Sequence, residues 1–212
     1  LSFSDVFEGT KNGSHRQNEL LFARYNVCHP CRRSLILNRF VVISGCSGGG
    51  KSSLLAELHR RGHMVVEEPG RRVVKEEMEN RGLAVPWADK TAFLRRILEM
   101  ALADWTSAPV SDGWVFFDRG IIDAAAGLQH LTGEPVWGTL DLPHRYHRRV
   151  FLTPPWPEIY ITDSERRHDL NEAVGEYSRL LEVYPLLGYE VSVLPKVGIL
   201  ERADFVLHSL GC

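Results

Sequence analysis

At 212 residues, with 44% apolar and 25% charged side chains, the chain can build one sizeable core and has the balance of an ordinary globular domain. A formal net charge of −2 gives no reason to expect a nucleic-acid-binding surface, and no apolar run approaches the ~18 residues of a membrane span. Four cysteines are too few for a secreted disulfide scaffold, so a reducing cytoplasm is the expected compartment.

Residues 1–38 mix polar and apolar side chains without sustained periodicity and show no signal-peptide pattern. They are read as a poorly ordered amino-terminal extension, with a folded domain at 39–212. Residues 19–25 could make a short helix. Cys28-His29-Pro30-Cys31 is a C-x-x-C, but no second pair completes a zinc site and no strand-to-helix setting suits a redox pair. It is treated as incidental.

The β-branched run Phe40-Val41-Val42-Ile43-Ser44 predicts a buried strand, and residues 53–61 place Leu54, Leu55 and Leu58 at helical spacing before Gly62. Between them stands Gly45-Cys46-Ser47-Gly48-Gly49-Gly50-Lys51-Ser52, which fits G-x-x-x-x-G-K-[ST]. Strand, glycine loop and helix start come in the order that aims free amides and a positive dipole end at a phosphate chain. Gly45, Ser47, Gly48, Gly49, Gly50, Lys51, Ser52 and Ser53 are therefore expected to bind a nucleotide. Lys51 would reach the β/γ-phosphates and Ser52 would offer its hydroxyl to Mg²⁺. Cys46, at a variable position of the motif, reads as small filler.

Residues 63–68 predict a second strand ending in carboxylates, broken by Pro69-Gly70, with a helix from Arg71 to about residue 81. In a parallel sheet the carboxyl ends of strands ring the ligand crevice, so Glu68 is expected to meet an acceptor hydroxyl, with Arg71 nearby. Residues 88–105 predict a helix, and Trp87 and Phe93 near its start are candidates for an acceptor wall. Trp114-Val115-Phe116-Phe117-Asp118 is a strand ending in an acid that would hold Mg²⁺ with Ser52. Arg119 follows, where its planar fork could pair with the transferred phosphoryl. Asp123, in the helix expected at 121–131, is either an acceptor contact or an exposed helix residue.

The basic stretch from His144 to Arg149 is expected to finish a helix before a strand at 150–153, and Pro154-Pro155-Trp156-Pro157 to run extended. Asp163-Ser164-Glu165-Arg166-Arg167-His168 precedes a helix capped by Asp169, and Arg166 and Arg167 are read as cations of a lid over the phosphates. A fifth strand at 189–194, a loop at 195–198 near where the base would sit, and a closing helix at 199–210 complete the chain.

These pieces together resemble a P-loop kinase of the nicotinamide-riboside-kinase (NadR-like) type, and more closely the short predicted ATPases of the AAA-domain family grouped with it. The resemblance rests on residues 45–52, Glu68-Pro69-Gly70-Arg71, Phe117-Asp118-Arg119-Gly120, and Pro155-Trp156-Pro157 followed by Asp163-Ser164-Glu165-Arg166, and spans about residues 39–210. It implies an α/β P-loop NTPase sandwich of three layers around a five-stranded parallel sheet, with an arginine-bearing lid. It also implies Mg-ATP binding and transfer to a nucleoside-like hydroxyl of a small-molecule acceptor. This chain has Glu-Pro-Gly-Arg where that kinase domain typically has Glu-Tyr-Ala-Arg, so the resemblance carries over the chemistry and not the acceptor. Lys51, Glu68, Asp118, Arg119 and Arg166 are the expected catalytic set. The competing reading is a nucleotide-dependent switch or regulatory ATPase that acts through a protein partner. A GTPase is disfavoured because N-K-x-D and D-x-x-G are absent, and an ABC-type ATPase by the missing L-S-G-G-Q.

Overall fold

The structure, a computed structural model, describes residues 39–109, 113–136, 146–159 and 170–211. The extension at 1–38, with its C-x-x-C and the helix expected at 19–25, lies outside the described residues. So do His144 and Arg145 of the basic stretch, and the lid stretch from Asp163 to Asp169 with Arg166 and Arg167.

Five strands, β1 (Phe40–Gly45), β2 (Met64–Val66), β3 (Val115–Asp118), β4 (Arg149–Thr153) and β5 (Glu190–Val193), form one sheet in the order β2-β3-β1-β4-β5. Every pairing is parallel, as the expected α/β class requires. The helices among the described residues are α1 (Lys51–Arg60), α2 (Pro69–Asn80), α3 (Lys90–Ser107), α4 (Ile121–Thr132), α5 (Leu170–Leu186) and α6 (Ile199–Ser209). β1 is buried along its whole length because both faces of its apolar run are covered. Val41, Ile43, Phe116 and Phe151 turn to one face and pack with Leu54 and Leu58 of α1 and Ala203 and Val206 of α6. Phe40 and Phe117 turn to the other, where Phe40 meets Trp105 of α3 edge-on at 6.4 Å between centroids. α4 and α5 continue that second layer, α5 lying against β1 and β5. No described helix is long and apolar enough to cross a membrane.

Three local expectations change. Pro69 does not break the chain; it is the first residue of α2, where its fixed φ suits a helix start and its missing N–H leaves nothing unpaired. Glu68 therefore sits at the helix N-cap rather than on a strand end. Tyr146 to Arg148 form no helix, because Tyr146 is buried against Phe117 and its hydroxyl accepts from the Ile121 N–H at 3.2 Å. After Pro154 the chain turns through a short 3₁₀ segment, Pro157–Ile159, rather than staying extended.

The joint between β1 and the glycine loop packs tightly against the backbone of β4. Gly45 has φ +107°, and a Cβ there would stand 2.5 Å from the Thr153 backbone nitrogen. Gly175, on the exposed side of α5, has open space around it. We expect Gly45→Ala to lower unfolding free energy by on the order of 3 kcal/mol, from backbone strain plus overpacking. Gly175→Ala should raise it by roughly 0.5–1 kcal/mol through helix propensity. Urea unfolding followed by circular dichroism measures both.

Candidate nucleotide and acceptor site

The loop hangs from β4 rather than from itself. The Cys46 N–H donates to the Thr153 carbonyl at 2.9 Å, and the buried Thr153 hydroxyl lies 3.1 Å from the Ser44 carbonyl and 3.2 Å from that of Cys46. Gly50, with φ +77°, turns the chain into α1, whose first-turn amides have no partners within the helix. Lys51 is 7% exposed, so its stem is sheltered and its ammonium is set close to the loop. Ser52 and Ser53 stay exposed at the helix start. Cys46 is fully buried, and burial pushes its thiol up, in keeping with the filler role read from its position. A cavity of about 550 Å³ opens beside the loop, with Gly48, Gly50, Lys51, Ser52 and Ser53 on one side. Trp156, Ile159, Val197, Gly198, Ile199 and Arg202 form the other.

On the β3 side the structure brings Glu68, Arg71, Asp118, Arg119 and Lys51 into one electrostatic cluster. Arg119 has φ +66°, an uncommon backbone state for a side-chain-bearing residue. That turn aims its guanidinium across the loop: it lies 3.3 Å from Glu68, 3.5 Å from Asp123 and 2.8 Å from Glu176 of α5, and donates to the Gly45 carbonyl at 3.4 Å. Burial opposes its charge, but the Glu176, Glu68, Asp123 and Asp118 carboxylates more than compensate and raise its pKa. Burial would likewise lift the Glu68 carboxyl, yet Arg119, Lys51 and Arg71 hold it below the ordinary value, with Arg71 donating from 3.1 Å. Asp118 goes the other way. Burial outweighs its cationic neighbours, Glu68 adds repulsion, and its pKa is raised.

Asp118 Oδ1 is buried with no hydrogen-bond partner among the described residues. A hard, unpaired carboxylate oxygen beside a phosphate loop fits Mg²⁺, which binds through one or two carboxylates, phosphate oxygens and water. No group of three His, Cys, Asp or Glu side chains that could hold a metal occurs among the described residues. A cation here would thus draw most of its ligands from phosphate and solvent, with Asp118 and Ser52 as the protein's share.

The remaining candidates separate. Phe93 stands close to Glu68: a Cβ on Gly70 would be 3.8 Å from its ring and 3.7 Å from Glu68 Oε1. Trp87 is 48% exposed at the approach to α3. Asp123 is neither exposed nor free. It takes the Gly120 N–H at 2.9 Å, the Tyr184 hydroxyl at 2.7 Å, the Ser44 hydroxyl and Arg119, which makes it the fastener of the β3–α4 turn. Sequence reasoning missed Thr153, Glu176, Tyr184 and Arg202. Tyr184 alone left a trace, as part of the apolar face that helical spacing gives this helix, and it is fully buried.

Comparison with known proteins adds the relatives. Among solved structures, the deoxyadenosine kinase of M. mycoides with bound dATP superposes with a TM-score of 0.58 at 13% identity, over 82% of this chain and 100% of that one. A NadR protein in complex with NR gives 0.58 at 22% identity, over 83% of this chain but 52% of its own, so this chain spans about half of it. Thymidylate kinase from Ehrlichia chaffeensis gives 0.52 at 16% identity, over 82% and 99%. At these identities the likeness shows a shared fold. No curated protein sequence matches significantly. A family model described as an AAA domain matches residues 40–202, which hold the glycine loop, all five strands and Arg202 itself. The chain belongs to this AAA-domain family, built on the fold of the P-loop kinases.

Proposed function

We propose that the chain holds Mg-ATP on the 45–52 loop and transfers its γ-phosphoryl group to a hydroxyl of a small, nucleoside-like acceptor. The observation that carries this reading is Glu68: a carboxylate outside the loop, kept ionised by Arg119, Lys51 and Arg71. It stands at the start of α2, and Phe93, which flanks Gly70 in the first turn of the same helix, would wall the acceptor. The structural neighbours are kinases whose names put nucleosides or nucleotides on the receiving side, which supports the same acceptor class.

Phosphoryl transfer through a loose transition state asks the protein for positioning and charge more than for a strong base. An ionised Glu68 accepts the hydrogen bond of the acceptor hydroxyl, aligns its oxygen, and takes the proton as the new P–O bond forms and the bond from the γ-phosphorus to the β–γ bridging oxygen breaks, with ADP as the leaving group. Lys51 and the loop amides hold the β- and γ-phosphate oxygens. Arg119 is held across the site by Glu176 and Asp123, so its charge is in place before the reaction begins. Bound Mg²⁺ would neutralise phosphate charge, with Asp118 and Ser52 holding it. Arg71 and Trp87 would border the acceptor. Arg166 and Arg167, read from sequence alone, would close the lid and exclude water.

Two substitutions test this. Glu68→Gln should cut product formation, assayed with labelled ATP against a panel of nucleosides, by roughly a hundredfold or more. Calorimetric Mg-ATP affinity should stay within about threefold, well under the ~1.4 kcal/mol of a tenfold change. Undiminished transfer in that variant would remove Glu68 from the reaction, and hydrolysis alone with every acceptor would turn the reading towards a switch.

Asp118→Asn should abolish the magnesium dependence of nucleotide binding while raising the melting temperature of the ligand-free protein. The sign follows from linkage. The folded pKa lies above the unfolded one, so the folded state binds the extra proton, and stability falls as pH rises from the ordinary aspartate value of 3.8 through the raised one. The variant lacks that loss, so the gap between the two thermal stabilities should widen with pH over that window. A melting temperature that falls in Asp118→Asn at neutral pH would contradict it.

A further inference from the structure

Arg202 of α6 is 3% exposed, and its Nε–H has no partner among the described residues. Among the described residues its guanidinium makes a single hydrogen bond, Nη1–H to the Gly49 carbonyl at 3.1 Å, and lies 5.4 Å from the centre of the Trp156 ring. Both Nη atoms crowd the loop so closely that a Cβ on Gly50 would stand 2.9 Å from each. Arg119, comparably sheltered, faces Glu68, Asp123 and Glu176. Among the described residues no carboxylate faces Arg202, and burial lowers its pKa. A buried cation without a counter-charge is costly, and this one lines the same cavity as Lys51 and the start of α1.

We propose that Arg202 is a nucleotide-binding residue whose guanidinium pairs with the polyphosphate of the ligand on the 45–52 loop. This rests on reading that loop as a nucleotide site. The cavity Arg202 lines is shared with Gly50, Lys51, Ser52 and Ser53, all directed at an anion. Trp156 covers one face of the guanidinium and limits solvent counter-ions. A base edge could accept a hydrogen bond from Nε–H but brings no charge, whereas the phosphate chain brings both. Binding would supply the counter-charge that the buried guanidinium lacks among the described residues.

Calorimetry on the full chain with Mg-ATP, magnesium tripolyphosphate and adenosine tests this in wild type, Arg202→Met and Arg202→Lys, each checked by thermal unfolding. Arg202→Met should weaken ATP and tripolyphosphate alike by roughly tenfold to a hundredfold. It should leave adenosine unchanged, flatten the salt dependence of the dissociation constant, and leave the ligand-free melting temperature at or above that of wild type. Arg202→Lys should recover part of the tripolyphosphate affinity. Weaker ATP with unchanged tripolyphosphate would mean that the guanidinium touches the base, and unchanged binding of both would reduce Arg202 to a strut under Gly49. Either result overturns the proposal while wild type still binds ATP. Failure of wild type to take up ATP or tripolyphosphate would overturn the nucleotide reading of the loop itself.

Discussion

The loop's dependence on β4 governs the rest of the site. A glycine-rich turn has little of its own to define a shape, since flexible backbone loses the most freedom on ordering. Here Thr153 supplies the definition: its carbonyl takes the Cys46 N–H, and its hydroxyl reaches Ser44 and Cys46. Because β4 is hydrogen-bonded to β1, the loop inherits the rigidity of the central sheet. Amides preset in this way need little rearrangement on binding, and preorganisation of this kind is what allows fixed dipoles to act on developing charge.

A second frame fixes the charges. Asp123 gathers the Gly120 amide, the Tyr184 and Ser44 hydroxyls and Arg119, and so joins β1, the β3–α4 turn and α5 through one buried carboxylate. Arg119 then spans from that carboxylate to Glu68 and Glu176. The helix that follows the arginine-rich stretch, α5, is thereby tied to the acceptor side of the site. Lys90 of α3 and Glu172 of α5 make a further contact within that helical layer. Motion of α5 would be felt at Arg119 and, through it, at Glu68.

Much of this was legible in the chain and some was not, for physical reasons. Buried parallel strands are continuous apolar runs, so β1 and β3 stand out, and the loop declares itself because its glycines serve backbone geometry at fixed spacing. Pro69 misleads because proline signals both a strand stop and a helix start, and only the packing of Gly70 near Ile97 and Phe93 decides between them. Tyr146 misleads because a basic run hides one aromatic with a buried destination. Asp123 reads from the sequence as either an acceptor contact or an exposed helix residue, and its partners Ser44 and Tyr184 lie 79 and 61 residues away. Thr153, Glu176 and Arg202 act through contacts of the same long range, which no local pattern encodes.

Two buried side-chain atoms without partners among the described residues tie these frames together. One is a carboxylate oxygen, Asp118 Oδ1, at the tip of β3; the other is a guanidinium nitrogen, Arg202 Nε, on α6. Each alone is a defect, since an unsatisfied buried polar atom costs more than a typical hydrogen bond contributes. They are opposite in sign, and both lie at the glycine loop, where Asp118 interacts with Lys51 and Arg202 bonds Gly49. A lone anion would satisfy the guanidinium and repel the carboxylate; a lone cation would do the reverse. A magnesium-bound polyphosphate carries both charges on one ligand. On the proposed reading, such a complex would answer both defects at once, which neither component would do by itself.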